Sequence, residues 1–194
     1  MSDGTQAVQV PRVAVGLLHY PMMDREKSTV ATNITNFDIH DIARACSTYG
    51  ITTYYVIHPS KEQLMFVERV LEHWKVGTGA KYNPSRRRAL QPVKTAPSLE
   101  AALADWGPST VVATHARPVP GTKFWTCQEY KQHVREPGQS GFIVFGTGYG
   151  MTDEYMQGIG GVLESLKGAP PQDFRHLSVR SAVSIYLDRI MGPW

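Results

Sequence analysis

Short runs of almost continuously apolar residues recur along this chain and constrain its fold more than any other feature. They occupy residues 13–19, 52–57, 110–114 and 141–145, with a weaker run at 90–95. Strands that are apolar throughout, rather than alternating with polar residues, are typical of parallel sheets covered by helices on both faces. The runs therefore predict central, parallel strands.

Segments with helical periodicity separate these runs. Residues 37–49, 61–75 and 98–106 carry apolar side chains with the spacing of one helical stripe. Gly50 is placed to end the first of these helices, and Ser98 to cap the third. The repeated β-α order predicts an α/β fold in which helices flank a mainly parallel sheet.

A last helix is predicted over residues 177–191, with Ser178 as N-cap and the pair Gly192 and Pro193 as its stop. One face of this helix is apolar. Its members are Val179, Ala182, Val183, Leu187 and Ile190. A terminal helix that only covers the sheet and a helix that borders a ligand give the same pattern, so both interpretations stay open.

Length and composition exclude several classes of protein. The chain has 194 residues and a formal charge of +3, which predicts one domain over residues 12–194 behind a polar tail over residues 1–11. No apolar run reaches about 18 residues and no secretory signal is present, so we expect neither a membrane span nor export. Cys46 and Cys127 lie far apart, outside any metal or redox motif. We therefore expect no metal and a cytoplasmic location.

A glycine-rich loop follows the apolar run at 141–145, with glycine at positions 146, 148 and 150. Such glycines let backbone amides approach a ligand without interference from Cβ, but a tight turn without a ligand explains them equally well. In a dinucleotide fold this loop follows the first strand, whereas only 44 residues remain here after Gly150. A nucleotide-dependent oxidoreductase is therefore a weak alternative.

Three segments in a fixed order give the chain a family resemblance. They are "TNFDIHDIARACSTYGI" after the first strand, "VFGTGYGM" late in the chain and the terminal "HLSVRSAVSIYLDRI". The chain resembles the SPOUT superfamily of S-adenosylmethionine (SAM)-dependent RNA methyltransferases, and within it a small bacterial group similar to the tRNA guanine methyltransferase branch. The resemblance extends from Val13 to Met191. It implies a C-terminal trefoil knot, SAM as cofactor, tRNA or rRNA as substrate, and a homodimer formed through the knot.

The resemblance also implies a cofactor site made of three segments. The first ends the fourth apolar run, the second is the glycine loop with Tyr149 at its tip, and the third begins the last helix. The residues carried over are Thr114, His115 and Ala116; Phe145, Gly146, Thr147, Gly148, Gly150 and Met151; and Leu177, Ser178, Val179, Ala182 and Val183.

Candidates for the reacting end lie on the helix at 37–49. Asn36, His40 and Arg44 share one edge of it, flanked by Asp38 and Asp41. Related knotted methyltransferases carry Asn followed six residues later by Arg, and here Asp38 stands at the Asn position and Arg44 at the Arg position. The resemblance implies that Arg44 orients an RNA phosphate or polarises the nucleophile, and that Asp38 or His40 accepts the proton. A solvated edge with an Asp41–Arg44 ion pair is the structural alternative.

Basic residues in predicted loops are candidates for RNA phosphate contacts. The turn-rich stretch 77–88 and the proline-containing loop 117–123 supply most of them. The candidates are Arg25, Lys27, Arg86, Arg87, Arg88, Arg117 and Lys123, with Tyr82, Phe124 and Trp125 as aromatic residues on which a base can stack.

Two functions from different classes fit this sequence. The first is a SAM-dependent RNA methyltransferase. The second is a non-catalytic protein that keeps the nucleoside pocket and associates with RNA or the ribosome, which Asp38 at the usual Asn position favours.

Overall fold

The computed structural model describes residues 10–194, so the predicted tail over residues 1–11 falls mostly outside the described residues. The strands are β1 (Arg12–Leu18), β2 (Met22–Met23), β3 (Thr29–Val30), β4 (Thr53–Ile57), β5 (Val93–Ala96), β6 (Thr110–Ala113), β7 (Phe124–Trp125), β8 (Ser140–Gly146) and β9 (Val162–Leu163). The helices are α1 (Asn36–Thr48), α2 (Lys61–Lys75), α3 (Thr78–Tyr82), α4 (Pro84–Ala89), α5 (Leu99–Trp106), α6 (Cys127–His133), α7 (Asp153–Gln157) and α8 (Val179–Met191).

Seven strands form one parallel sheet in the order β5-β4-β1-β8-β6-β9-β7. The five predicted strands are confirmed as β1, β4, β5, β6 and β8, and so is the mainly parallel sheet flanked by helices. Strands β7 and β9 were not predicted, because two residues are too few to give a periodic signal. The short strands β2 and β3 form a separate antiparallel hairpin.

The four predicted helices are confirmed, and local capping explains their limits. The hydroxyl of Ser98 accepts from the Ala101 N–H at 3.2 Å, and that of Ser178 from the Ser181 N–H at 3.2 Å. Gly50 follows α1 with a φ of 73°, the left-handed conformation expected of a residue just past a helix. The apolar residues predicted to face the core from α1 are all buried.

The expectation that residues 77–88 form only turns was wrong, because α3 and α4 occupy most of them. Asn83 caps α4 by accepting from the Arg86 N–H at 3.0 Å, and Pro84 occupies the first helical position. Asparagine followed by proline is a turn signal, but it is also the signal that begins a helix. The three consecutive arginines therefore lie on a helix.

Two apolar clusters cover the two faces of the sheet. The larger cluster holds the buried faces of α1, α2 and α8, including Ile39, Val67 and Leu187. The other cluster joins α5 and α7 to the opposite face, through Leu99 and Met156. Parallel strands covered on both faces leave the carboxyl edge of the sheet as the place where loops gather. Among residues 10–194, no helix is both long and apolar enough to cross a membrane.

Candidate active site

The glycine loop lies at the carboxyl edge, between the ends of two neighbouring strands. It follows β8, which pairs with β1 on one side and β6 on the other, so that Gly146 lies beside Leu18. In open parallel sheets, ligands bind in the crevice outside the carboxyl ends of the strands. The loop is therefore where this fold places a ligand site.

Two of the three predicted glycines have backbone conformations that favour glycine. Gly148 has a φ of 57° and Gly150 a φ of 95°. A Cβ on Gly146 would lie 3.2 Å from Met151 Cγ and 3.3 Å from Met22 Sδ. A tight turn therefore explains Gly148 and Gly150. At Gly146, Met151 and Met22 already occupy the space that a side chain would need.

Contacts on both sides fix the glycine loop. The hairpin of β2 and β3 covers one side, where the Met23 N–H donates to the Gly150 carbonyl at 2.9 Å. His115 covers the other side, since its Nε2 lies 3.0 Å from the position of a Cβ on Gly150. The structure thus brings together two of the three predicted cofactor segments, residues 114–116 and 145–151.

Exposed backbone donors remain at this edge. Within residues 10–194, no partner accepts from the N–H groups of Gly148, Tyr149 or Ala116. Gly148 and Tyr149 are exposed. Free N–H groups beside backbone without side chains suit the oxygen and nitrogen acceptors of a nucleoside. The loop therefore offers unpaired backbone donors at the edge of the sheet.

Helix α8 packs against β8, the strand that leads into the glycine loop. Phe145 packs against Tyr186 of α8 at 5.9 Å between ring centroids. Val183 is buried in the same cluster, and Val179 and Ala182 pack against it. Leu177 is 43 % exposed, which leaves an apolar side chain at the surface just before the helix. In the described part of the chain, no hydrogen bond joins residues 177–183 to the glycine loop.

Asp38 faces α8 and is already engaged. Its carboxylate accepts from Thr35 Oγ1 at 2.6 Å and from Arg180 Nη1 at 3.0 Å. The Asp38 side chain is 7 % exposed, and Arg180 also lies 3.4 Å from Asp41. Asp41 therefore pairs with Arg180, not with Arg44 as the structural alternative expected. Arg180 was not predicted as a site residue, because a cation in the first turn of the last helix gives no local sign of its partners on α1.

His40 and Arg44 lie on another side of α1. His40 packs edge-on against Trp74 of α2, with ring centroids 5.9 Å apart. Burial lowers the pKa of His40, and the nearby charges of Arg86 and Arg44 lower it further. Arg44 is exposed and has no carboxylate within 4.0 Å among the described residues. The three predicted catalytic residues thus divide between two sides of one helix.

Two histidines that were not predicted hold Thr32, and Thr32 contacts the glycine loop. His19 follows β1 and His58 follows β4, and their rings lie 5.8 Å apart. His58 Nε2 donates to the Thr32 carbonyl at 3.1 Å, and the Thr32 N–H donates to the His19 carbonyl at 2.9 Å. The Thr32 hydroxyl in turn bonds to that of Thr147. Position directly after an apolar strand was the only sequence signal for these histidines.

The buried state of His19 keeps it neutral. The side chain has no exposed area, and burial lowers the pKa of His19 to about 4. Nδ1 lies 3.2 Å from the Ile57 carbonyl, to which it donates in the neutral form. Nε2 is buried without a hydrogen-bond partner in the described chain. The histidine pair therefore positions Thr32 without contributing a charge at pH 7.

The predicted RNA contacts differ in their surroundings. Arg117 pairs with Asp153 at 2.9 Å, and Lys123 Nζ lies 3.9 Å from the ring centre of Trp125. Tyr82 is 89 % exposed and Phe124 59 % exposed. Arg25 and Lys27 lie in the turn between β2 and β3. Arg117 and Lys123 are thus partly satisfied within the protein, whereas the two exposed aromatic residues have free surfaces.

A separate cavity of about 590 Å³ lies on the face of the sheet that carries α5 and α7. Its lining includes Leu99, Leu103, Tyr155 and the carboxylates of Glu100 and Glu154. None of the predicted cofactor residues lines it. The described residues contain no group of three or more His, Cys, Asp or Glu side chains arranged to hold a metal ion.

The chain is similar in sequence to known RNA methyltransferases. The model of a family described as SAM-dependent RNA methyltransferase matches residues 12–192. A tRNA (guanine-N(1)-)-methyltransferase of Nitratidesulfovibrio vulgaris is 36% identical over 181 residues, which are 91% of this chain and 41% of that protein. The chain therefore spans less than half the length of this relative. An uncharacterised protein of Aquifex aeolicus is 35% identical over 93% of this chain and 88% of its own length.

Solved structures share the fold. A probable methyltransferase from Bordetella pertussis Tohama I superimposes with a TM-score of 0.62 at 19% identity, covering 94% of this chain and 93% of that one. TrmJ from Z. mobilis ZM4 gives a TM-score of 0.61 at 17% identity, covering 96% of this chain and 70% of that one. At these identities the likeness establishes the fold of the sheet and helices described above.

Proposed function

Because this chain belongs to the family of SAM-dependent RNA methyltransferases, we propose that it transfers the methyl group of SAM to RNA. The observation that carries the proposal is the packing of His115 against Gly150 beside the unpaired N–H groups of Gly148 and Tyr149. Residues 114–116, 145–151 and 177–183 would hold the adenosyl group. The substrate class is tRNA or rRNA, and residues 12–194 act as one catalytic domain.

A threaded C-terminal segment is part of this proposal. Strand β9 is inserted between β6 and β7, so the loop that joins those two strands spans it. After β9 the chain continues into α8. This helix packs against α1 and β8, away from the edge of the sheet where β9 and β7 lie. This order of strands supports a trefoil knot, an exception to the rule that connections do not thread loops.

A homodimer through this region would complete the surface. Phe37 at the start of α1 is 67 % exposed and Leu177 before α8 is 43 % exposed. Large apolar side chains at the surface of neighbouring elements are typical of protein interfaces.

Cys46 and Cys127 are free and buried, which is consistent with a reducing compartment, and we propose the cytoplasm.

The protein's own residues align the acceptor and manage its proton. Bound SAM supplies a methyl group that its sulfonium has already activated, so the chain needs no further activating group. Exposed Arg44 orients the acceptor nucleotide. His40 is the better candidate to accept a proton, because its lowered pKa keeps it neutral near pH 7. Asp38 holds Arg180 and Thr35 instead.

A second function is favoured by that engagement of Asp38. A carboxylate held by Arg180 and Thr35 is not free to act as a base, and the same pair caps and ties α1 to α8. A protein with this arrangement can bind SAM or a nucleoside and associate with RNA or the ribosome without catalysis. The oxidoreductase alternative loses its basis, because the glycine loop follows β8 and not the first strand of the sheet.

Calorimetry and methyl transfer separate these functions. We expect micromolar binding of SAM and no binding of NAD. Transfer of labelled methyl from SAM to total RNA is then measured for the wild type and for Arg44→Ala. Transfer by the wild type alone supports the enzyme. SAM binding without transfer by either protein supports the binder, and binding of NAD in place of SAM contradicts both.

A further inference from the structure

Arg86 is held in a fixed position by an aromatic support. Its guanidinium lies 4.2 Å from the ring centre of Trp74, a distance at which an arginine stacks on an aromatic face. Trp74 is itself packed edge-on against His40 and His73. An arginine whose plane is fixed in this way loses less conformational freedom when it binds an anion.

Positive charge predominates around Arg86, and Asp41 is the acidic group whose charge also reaches His40. Arg44 lies on α1, which packs against α4, and Arg87 and Arg88 follow Arg86 on α4. Among residues 10–194, none of these four arginines has a carboxylate within 4.0 Å. Arg44 and Arg86 both lie close enough to His40 to lower its pKa. The group is thus a cluster of cations that the protein does not neutralise.

Buried polar atoms in the same place lack partners. Arg86 Nε and His40 Nδ1 are both buried, and neither has a hydrogen-bond partner in the described chain. Leaving a buried donor unpaired is costly, and a charged donor is more so. Arg86 as a whole is only half-buried, so an incoming acceptor can reach the outer part of its guanidinium.

We propose that Arg86, stacked on Trp74, and Arg44 form a phosphate subsite through which the backbone of the substrate RNA docks. A phosphate matches the planar, multiple-donor geometry of arginine and the excess of positive charge. Tyr82, 89 % exposed, is the last residue of α3, which packs against α4. An unpaired base can stack on it. This subsite rests on the proposed function. It places the RNA backbone against α1, which carries Arg44, and α4, which carries Arg86.

Binding of unfractionated tRNA as a function of salt tests the subsite. Arg86→Gln removes the charge but keeps a planar amide over Trp74, and Arg86→Lys keeps the charge but loses the planar stack. We expect Arg86→Gln to weaken binding about tenfold and to reduce the slope of log K against log salt by about 0.7 to 0.9, the change for one phosphate contact. Arg86→Lys should keep the slope and lose only part of the affinity.

The exposed Arg69 on α2 provides the matched control. Arg69→Gln removes the same charge from the helix that carries Trp74 and should leave both affinity and slope unchanged. The subsite is overturned if the wild type binds tRNA and Arg86→Gln retains its affinity and slope, or if Arg69→Gln loses as much. A wild type that binds neither unfractionated tRNA nor rRNA overturns the proposed function together with the subsite. SAM affinity, measured in parallel by calorimetry, should be the same for all four proteins.

Discussion

Helix α1 carries opposite charge on two of its sides, and the two sides are treated differently by the rest of the molecule. Asp38 and Asp41 face α8, and Arg180 forms an ion pair with each. His40 and Arg44 face α2 and α4, where Arg86 adds charge of the same sign. The difference separates an internal contact that holds the fold from a surface that needs a partner outside it.

Asp38 and Arg44, six positions apart on α1, therefore have different roles. On the acidic side, the ion pair ties α1 to the start of α8 and so supports residues 177–183, the segment proposed to contact the cofactor. On the basic side, an uncompensated cluster of cations favours a polyanion. Changes on the first side should therefore alter stability, and changes on the second should alter RNA binding and transfer.

The largest effect is expected from a change that touches neither side. Gly148→Val puts a side chain on a residue with φ of 57°, where a Cβ would lie 3.3 Å from Thr32 Cγ2. SAM affinity should fall by more than about 100-fold, because the space for the ligand is filled and the loop is strained. Calorimetry measures the affinity, and tRNA binding should be retained.

Gly138→Val is the control for backbone strain. Gly138 has a φ of 78° and no atom within 4 Å of a Cβ, and it lies at the other end of β8. It should leave SAM affinity unchanged. Unchanged SAM affinity in Gly148→Val would remove the glycine loop from the site.

Arg44→Ala tests the basic side of α1. Methyl transfer to RNA should fall about 100-fold, the usual cost of removing a group that orients or stabilises the reacting atoms. SAM affinity should not change, because Arg44 contacts none of the cofactor segments. Transfer at the wild-type rate would return Arg44 to the role of an ordinary solvated residue.

Arg180→Ala tests the acidic side. Removal of the cation leaves the buried Asp38 carboxylate with Thr35 as its remaining side-chain partner, and should lower the free energy of unfolding by about 2 kcal/mol. Urea unfolding measures the loss. The double variant with Asp38→Asn should recover part of it, since no unpaired carboxylate is then left behind. An unfolding free energy equal to that of the wild type would show that the pair does not stabilise the fold.

The smallest effect concerns His19, which helps to hold Thr32 next to the glycine loop. The pKa of His19 is about 4 in the folded protein and 6.5 for the ordinary side chain. Between these values the unfolded chain binds a proton that the folded chain does not, so stability falls as the pH is lowered. His19 should contribute about 1 kcal/mol of this loss between pH 7 and 5.5.

His19→Gln isolates that contribution. The difference between the unfolding free energies at pH 7 and 5.5 should be smaller in the variant than in the wild type by that amount. His40, on the basic side, also has a lowered pKa and remains in both proteins. An identical acid loss in the two proteins would show that folding does not lower the pKa of His19.

The sequence was most informative where the signal was periodic. Every long strand and long helix was predicted within a few residues, because burial on one or both faces dictates the pattern of apolar residues. The helices α3 and α4 were missed because their capping residues Asn83 and Pro84 are also turn residues. The short strands β7 and β9 carry no period at all.

Side-chain partners were harder to predict than elements. The pairing of Asp38 with Arg180 joins residues 142 positions apart, and no local pattern reports such a contact. The stacking of Arg86 on Trp74 likewise depends on how α4 packs against α2. The glycine loop was found because its chemistry is local, whereas the two sides of α1 became distinct only in three dimensions.

A crystal structure with S-adenosylhomocysteine, the product of methyl transfer, tests the central claim most directly. The account predicts that the nucleoside lies against residues 145–151, accepts from the N–H of Gly148 or Tyr149, and contacts both residues 114–116 and the start of α8. A nucleoside bound in the cavity beside α5 and α7, or a glycine loop without ligand at saturating concentration, would contradict it.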